Sequence, residues 1–385
     1  MGETITKSGP LLLVVSLFLL SITLMMLPSY ELLVKPRDQA FDWFWIWVGG
    51  RAILAGQNPY GPETTQTIQL GVFKKIIPPE EYQHGFPHPA HIAFVLLPFI
   101  LLPFFWSVLL WLSLQIPLFM ASFFVGCKTL NYTMHPYVLF LFILLTTLGF
   151  RYPLNIYVLG QLTIFVIFCS LLAVWLFQQG HARWAAVALA CTTIRPDLAL
   201  IAILLAFFLT RNSPGRNEFI ATLLSAGFIL AGLPMLFFGF WPLTWLQAIR
   251  AYGNNPFATW PPELLPTIGL RAVLLIGLAA WTGYYVLLAW RKPDNFHNGL
   301  LIGAAILCGL IVLPQTGSYT LTLALIPAMI LWCFAPPLWL KAIIAAGLLM
   351  PWLYFTLGGP FDRLIFLLIP GQLMIFQEMV RWFRD

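Results

Sequence analysis

The chain reads as an all-α polytopic membrane protein, a bundle of about 12 (11–13) transmembrane helices with a long first extracytoplasmic loop. Two observations carry that reading. Of 385 residues, 60% are hydrophobic, 16% aromatic and 9% charged, whereas a soluble domain carries about 25% charged residues. The mean hydropathy is +0.86, and the apolar residues fall in long runs separated by short polar stretches rather than in a period-2 alternation. The whole chain, 1–385, is expected to form a single integral membrane domain.

Residues 11–27 form the first apolar span, preceded by Lys7 and lacking a small-residue cleavage site, so an uncleaved helix with a cytoplasmic N-terminus is expected. Further runs follow at roughly 91–126, 137–150, 162–178, 184–194, 197–210, 219–240, 268–290, 299–313, 320–335, 342–357 and 364–383. Runs 184–194 and 197–210 are short for the ~20 residues a perpendicular span needs, and meet at Arg195-Pro196-Asp197 as a hairpin. Pro98, Pro103 and Pro117 lie inside the overlong 91–126 run, which predicts a short broken helix ahead of the true span.

Charge sets the orientation. With the N-terminus inside, each side holds ten Lys and Arg residues; setting aside the long first loop and its five cations leaves ten inside against Arg151, Arg195, Arg250, Arg271 and Arg363 outside. Both termini are therefore placed in the cytoplasm of a multi-pass cell-membrane protein. Nine of the fourteen acidic residues then collect on the outer face, where topology supplies no reason for them. The net charge of +6 contains no basic run longer than Lys74-Lys75 or Arg291-Lys292, so nucleic acid is not an expected partner. The five cysteines form no C-x-x-C pair and read as packing residues.

Two outer loops carry the candidate chemistry, 30–90 and 241–267. In the first, residues 41–54 can form one amphipathic helix along the membrane surface, ended by Gly56 and followed by the turn Gln57-Asn58-Pro59-Tyr60. Asp42 opens it beside Trp43, Trp45 and Trp47, apolar neighbours that would raise a carboxylate pKa and suit it to take a proton. Capping of the helix N-terminus by Asp38 or Asp42 is the plainer use of the same residues. Arg195 interrupts an apolar stretch, where a cation is costly and points to an anionic ligand; a local pair with Asp197 explains it equally well. Arg151 and Arg271 stand at outer span ends, where snorkelling is the ordinary account. The prolines in His84-Gly85-Phe86-Pro87-His88-Pro89-Ala90-His91 oppose a helical metal site, so no metal and no other cofactor is expected, and His88 reads as a hydrogen-bonding residue. Gly160-Gln161 and Gln315-Thr316-Gly317-Ser318-Tyr319 are uncharged polar clusters suited to sugar hydroxyls or to helix caps.

These motifs, in order, resemble glycosyltransferase family 87, membrane transferases of GT-C architecture that use polyprenyl-phosphate sugars, mostly mannose. Asp42, Gly56 fourteen residues on, and Pro59-Tyr60 resemble the family's opening motif. His88-Pro89-Ala90 followed by Pro98 resembles its Tyr-Pro-Pro and later Pro, Gly160-Gln161 its Gly-Gln, Arg195-Pro196 its Lys-Pro, and Leu313-Pro314 through Tyr319 its late outer loop. The resemblance implies a GT-C-like bundle in which Asp42 is the catalytic base. The donor phosphate then lies under the outer face near Arg195, with Arg151 and Arg271 as further phosphate ligands and Asn58, Tyr60, His88, Gln161, Gln315 and Tyr319 as substrate contacts. It implies an inverting transfer of one sugar from a polyprenyl-phosphate donor to a hydroxyl of a lipid or glycan acceptor, in contact with membrane lipids. The rival reading is a transporter or flippase of a lipid-linked sugar or small solute, which favours inverted repeats and charges at the midplane; no repeat is visible, and the acids gather outside. A noncatalytic scaffold leaves the polar outer clusters without a role.

Overall fold

The computed structural model describes residues 8–37, 42–252, 259–314, 317–335, 337–357 and 361–384, and among them helix is the only extended regular structure. That is what apolar runs require where water is scarce, because a helix satisfies its own backbone polar groups.

In chain order, α1 (Ser8–Ser29) continues through a π-helical stretch, Tyr30–Val34, into α2 (Lys35–Arg37). There follow α3 (Asp42–Leu54), α4 (Pro62–Phe73), α5 (Ile92–Val95), α6 (Leu97–Ile100) and α7 (Phe104–Thr129). Helix α8 (Pro136–Leu144) runs into a π-helical turn, Leu145–Gly149, and α9 (Tyr152–Leu159) leaves it at a 73° bend. Next come α10 (Thr163–Gln178), α11 (Ala182–Cys191), α12 (Pro196–Leu209), α13 (Arg216–Phe238) and α14 (Trp241–Tyr252). The chain ends in α15 (Ile268–Arg291), α16 (Asn295–Val312), a 3₁₀ segment Ser318–Ala324, α17 (Leu325–Phe334), α18 (Leu338–Leu357) and α19 (Phe361–Arg384).

Seven helices among the described residues are long and apolar enough to cross a membrane, or eight if the bent α8–α9 pair is one span. The other apolar runs form shorter helices, Thr163–Gln178, Ala182–Ile194, Pro196–Leu209 and Ser318–Phe334. At a rise of about 1.5 Å per residue none of these alone matches a hydrocarbon core of about 30 Å. The described residues thus have the character of a helical membrane protein, with seven or eight candidate spans by length and composition where twelve were expected from apolar runs alone. Exposed side chains such as Phe228, Leu236, Val273 and Ile276 on α13 and α15 give these helices an apolar exterior suited to lipid.

The chain divides into two compact units: Met1–Ala121 with Tyr157–Gln161 and Ala231–Ile249, and Ser122–Ile156 with Leu162–Leu230 and Arg250–Asp385. In the first, α3 is enclosed rather than laid on a surface. Trp43, Phe44, Ile46, Val48, Ala52 and Ile53 are all buried, because the helix is apolar on most sides; the side carrying Trp47, Arg51 and Leu54 is left partly open, with Arg51 exposed. Its end follows expectation: Gly56 has φ +73°, and the Gln57 amide closes the last turn on the Ala52 carbonyl. The predicted break before the long span is also present, as α5 and α6. Two stretches expected to be loop are helical: α4, with Pro62 opening its first turn, and α14, pinned by Trp245 Nε1 donating to the Pro87 carbonyl (3.1 Å).

The second unit is centred on α16 and α17, where Leu300, Ala304, Leu307, Ala328 and Leu331 are fully enclosed. Beside them α10 and α11 pack closely through Ala173, Ala185, Ala186 and Leu189 onto Phe219.

Candidate functional site

Asp42 is the first residue of α3, and its environment is built by residues distant in sequence. Its Oδ2 accepts a hydrogen bond from Gln161 Nε2, a tertiary contact across 119 residues rather than a cap. Gln161 is buried and is placed by its neighbour Gly160, whose φ of +72° favours glycine. A Cβ at Gly160 would stand 3.0 Å from Trp43 Cβ. Trp111 fixes the same turn by donating from Nε1 to the Gly160 carbonyl (2.8 Å), and Gln115 Nε2 reaches the Gln161 carbonyl (3.3 Å). Trp43, next to Asp42, stacks on Trp111 at 4.3 Å and 13° and donates from Nε1 to Ser107 Oγ (2.9 Å). The base candidate and its partner thus rest on one rigid aromatic floor.

Burial pushes the Asp42 carboxyl up from its ordinary 3.8 to about 6, while the Gln161 hydrogen bond opposes the shift by stabilising the charged form. A carboxylate of this strength accepts a proton near neutral pH more readily than an ordinary aspartate. One turn along the helix, Trp45 stands on the same face as Asp42. Its indole N–H is buried and meets no hydrogen-bond acceptor among the described residues. Its ring meets His84 edge-on at 5.7 Å, and His84 also packs on Phe73 (4.7 Å) and Tyr82 (4.6 Å). Burial lowers the His84 pKa by disfavouring the charged imidazolium. His84 carries a φ of +51°, uncommon for a residue with a side chain.

The remaining expected residues of this unit are mutually linked. Tyr60 donates its hydroxyl to the His88 carbonyl (2.9 Å), its backbone N–H binds Asn58 Oδ1 (3.0 Å), and its ring packs on Phe86. This explains the aromatic residue after Pro59: Tyr60 ties the turn to the His88 segment, so His88 enters the link through its backbone.

In the second unit Arg195 is buried at the N-terminus of α12 and forms a two-point ion pair with Asp197, Nε to Oδ1 at 3.1 Å and Nη2 to Oδ2 at 2.6 Å. The guanidinium lies 5.8 Å from the Tyr319 ring, and Ser318 beside it accepts from Asn155 Nδ2 (3.0 Å). The hairpin pairing is therefore real. Arg151 stacks on Phe355 at 3.5 Å, and Arg271 donates to the carbonyls of Leu265 (3.1 Å) and Glu263 (3.3 Å). Arg271 thus makes a local contact at the start of its span, whereas Arg151, at the bend between α8 and α9, packs on a residue distant in sequence. Gln315, with Asp38, lies outside the described residues.

Sequence reasoning assigned Gln161 to substrate, read Trp45 only as an apolar neighbour of Asp42, and missed Trp111 and Gln115. Of these only Gln115 carried a signal, as an amide in the middle of an apolar span. Comparison with protein-family models, curated proteins and solved structures finds no match to this chain.

Proposed function

We propose that the chain is an inverting glycosyltransferase that moves one sugar, mannose by the family resemblance, from a polyprenyl phosphate to an acceptor hydroxyl at the extracytoplasmic face of the cell membrane. The observation that carries the reading is Asp42: a carboxylate raised to about 6, oriented by Gln161 and set on a stacked tryptophan floor. In the reaction the acceptor O–H gives its proton to Asp42 as its oxygen attacks the sugar C1 from the face opposite the phosphate. The C1–O bond to phosphate breaks, and its electron pair leaves with the polyprenyl phosphate. Positioned proton acceptors contribute about 10²–10⁴-fold in rate. His84, whose ring packs edge-on against Trp45 one turn along from Asp42, is proposed to meet the acceptor's hydroxyls. Arg195 is separately proposed to hold the donor phosphate, with Asp197 as its resting counter-ion. The test is transfer of labelled mannose from a polyprenyl phosphate by the purified protein in detergent without nucleotide sugar. No transfer from any lipid-linked sugar, together with flux of the labelled compound in liposomes, would overturn the reading in favour of transport.

A further inference from the structure

The second unit contains a cavity of about 550 Å³ that the proposed reaction does not use. This is within the roughly 300–1,000 Å³ of ligand sites. Its lining changes character along its length. Val166, Leu198, Ile201, Ile306 and Leu323 form one end, and the other carries Gln178, Thr210, Ser213, Asn295 and Asn298, where α10 and α12 finish and α16 begins. The twelve-residue step from Leu198 to Thr210 along α12 covers about 18 Å, close to one leaflet of a hydrocarbon core about 30 Å thick.

At the polar end, Thr210 and Gln178 already have partners, the carbonyls of Ala206 and Thr129. Asn298 Oδ1 is buried and has no hydrogen-bond donor among the described residues. Two cations flank the Ser213–Gly215 turn. Arg211 is held on the carbonyls of Phe208 (2.9 Å) and Ala289 (3.0 Å) and stacked on Trp290, whereas Arg216 is exposed. Trp184 and Trp290, largely exposed where α11 begins and α15 ends, mark this as the level of a membrane–water interface.

We propose that this cavity holds an acyl chain of an anionic phospholipid whose phosphate lies on the Ser213–Arg216 turn. An apolar bore one leaflet long fits the chain. Arg216, next in the chain to the lining residue Gly215 and exposed, supplies the positive charge for the phosphate. The polar end opposite Leu198 sets the headgroup at the far end of α12 from Arg195, so this lipid is distinct from a donor whose phosphate is held there.

The experiment is native mass spectrometry of the delipidated full chain in detergent, titrated with dioleoyl phosphatidylglycerol, with dioleoyl phosphatidylcholine and with a polyprenyl phosphate. One phosphatidylglycerol per chain is expected, bound more tightly than phosphatidylcholine. Leu205→Trp, which fills the bore, should abolish binding of both. Arg216→Gln should cut the preference about fivefold, the worth of one basic residue near a lipid phosphate. Should Leu205→Trp not fold, a phosphatidylglycerol carrying a mid-chain diazirine should label peptides of α12 and α16 in the unmodified protein. Equal affinity for the two phospholipids, labelling confined to other helices, or displacement of phosphatidylglycerol by equimolar polyprenyl phosphate would each overturn the assignment.

Discussion

Replacing Asp42 by Asn separates the chemistry of this residue from its structural cost. Asn is nearly isosteric, and its Oδ1 can still accept from Gln161 Nε2. It carries no charge to desolvate. Burial lifts the Asp42 pKa from 3.8 to about 6, so ionising it in the folded protein costs on the order of 3 kcal/mol more than in the unfolded chain. The sign follows from which state releases its proton first. Below about 3.8 both states keep the proton, and stability does not depend on it. As pH rises towards about 6 the unfolded chain ionises first and the fold loses stability; above about 6 the full cost is present. Asp42→Asn should therefore leave stability near pH 4 almost unchanged and raise it at pH 8 by up to ~3 kcal/mol, while transfer falls about 10²–10⁴-fold. Chemical denaturation at the two pH values, with donor binding and turnover measured in parallel, checks both halves. A variant equally altered in stability at pH 4 and pH 8 would refute the burial account, and one that turns over normally would remove Asp42 from the mechanism.

Four further outcomes follow from the same geometry. In unmodified protein the transfer rate should rise with pH through about 6, as Asp42 loses its proton, and Gln161→Leu should move that limb to higher pH because the bond it removes favours the charged form. Gly160→Ala places a Cβ 3.0 Å from Trp43 at a φ of +72° and should destabilise the protein by about 1–3 kcal/mol, read as a lowered melting temperature. Arg195→Met removes the partner of Asp197, whose side chain keeps partial access to solvent, and should cost about 1.5–3 kcal/mol. Adding Asp197→Asn should restore stability, and if transfer returns with it, Arg195 is structural rather than a phosphate ligand. For topology, a cysteine at the exposed Gln66 should react with an impermeant thiol reagent in intact cells and one at the exposed Asn212 should not; the buried Thr64 is a poor probe of the same loop.

Much of the helical framework was legible because it rests on local rules. Gly56 stops α3, the prolines fragment the chain before α7, and Arg195 and Asp197, two residues apart at a hairpin, pair as such neighbours can. The misses have physical causes. Helix α4, PETTQTIQLGVF, is too polar to stand out in a membrane protein, although Pro62 and Glu63 in its first turn are ordinary start signals. Helix α9 is eight residues between Arg151 and Gly160, too short for a periodicity to show. Helix α14 did carry a pattern, with Trp241, Trp245 and Ala248 on one side, obscured by reading the whole stretch as a loop between spans. The apolar runs themselves revealed where helices form but not how long each remains straight, and crossing depends on the second property.

The site shows a sharper limit. Asp42 and Gln161 were each visible as motif residues, yet nothing local assigns one to the other. Their meeting depends on Gly160 taking a left-handed turn, on Trp111 fixing the Gly160 carbonyl, and on Trp43 stacking beneath. Those three supports come from separate stretches of chain, and although Gly160 and Trp43 stand in recognisable motifs, neither motif points to the other. The consequence is a change of role: Gln161, which composition alone suits to a sugar hydroxyl, spends its amide on the carboxylate and so tempers the rise that burial imposes. Burial without Gln161 would hold the proton more tightly, and an exposed aspartate would accept it less readily. The two opposed effects together leave Asp42 near neutrality, the range in which a carboxylate can both receive a proton and be empty beforehand.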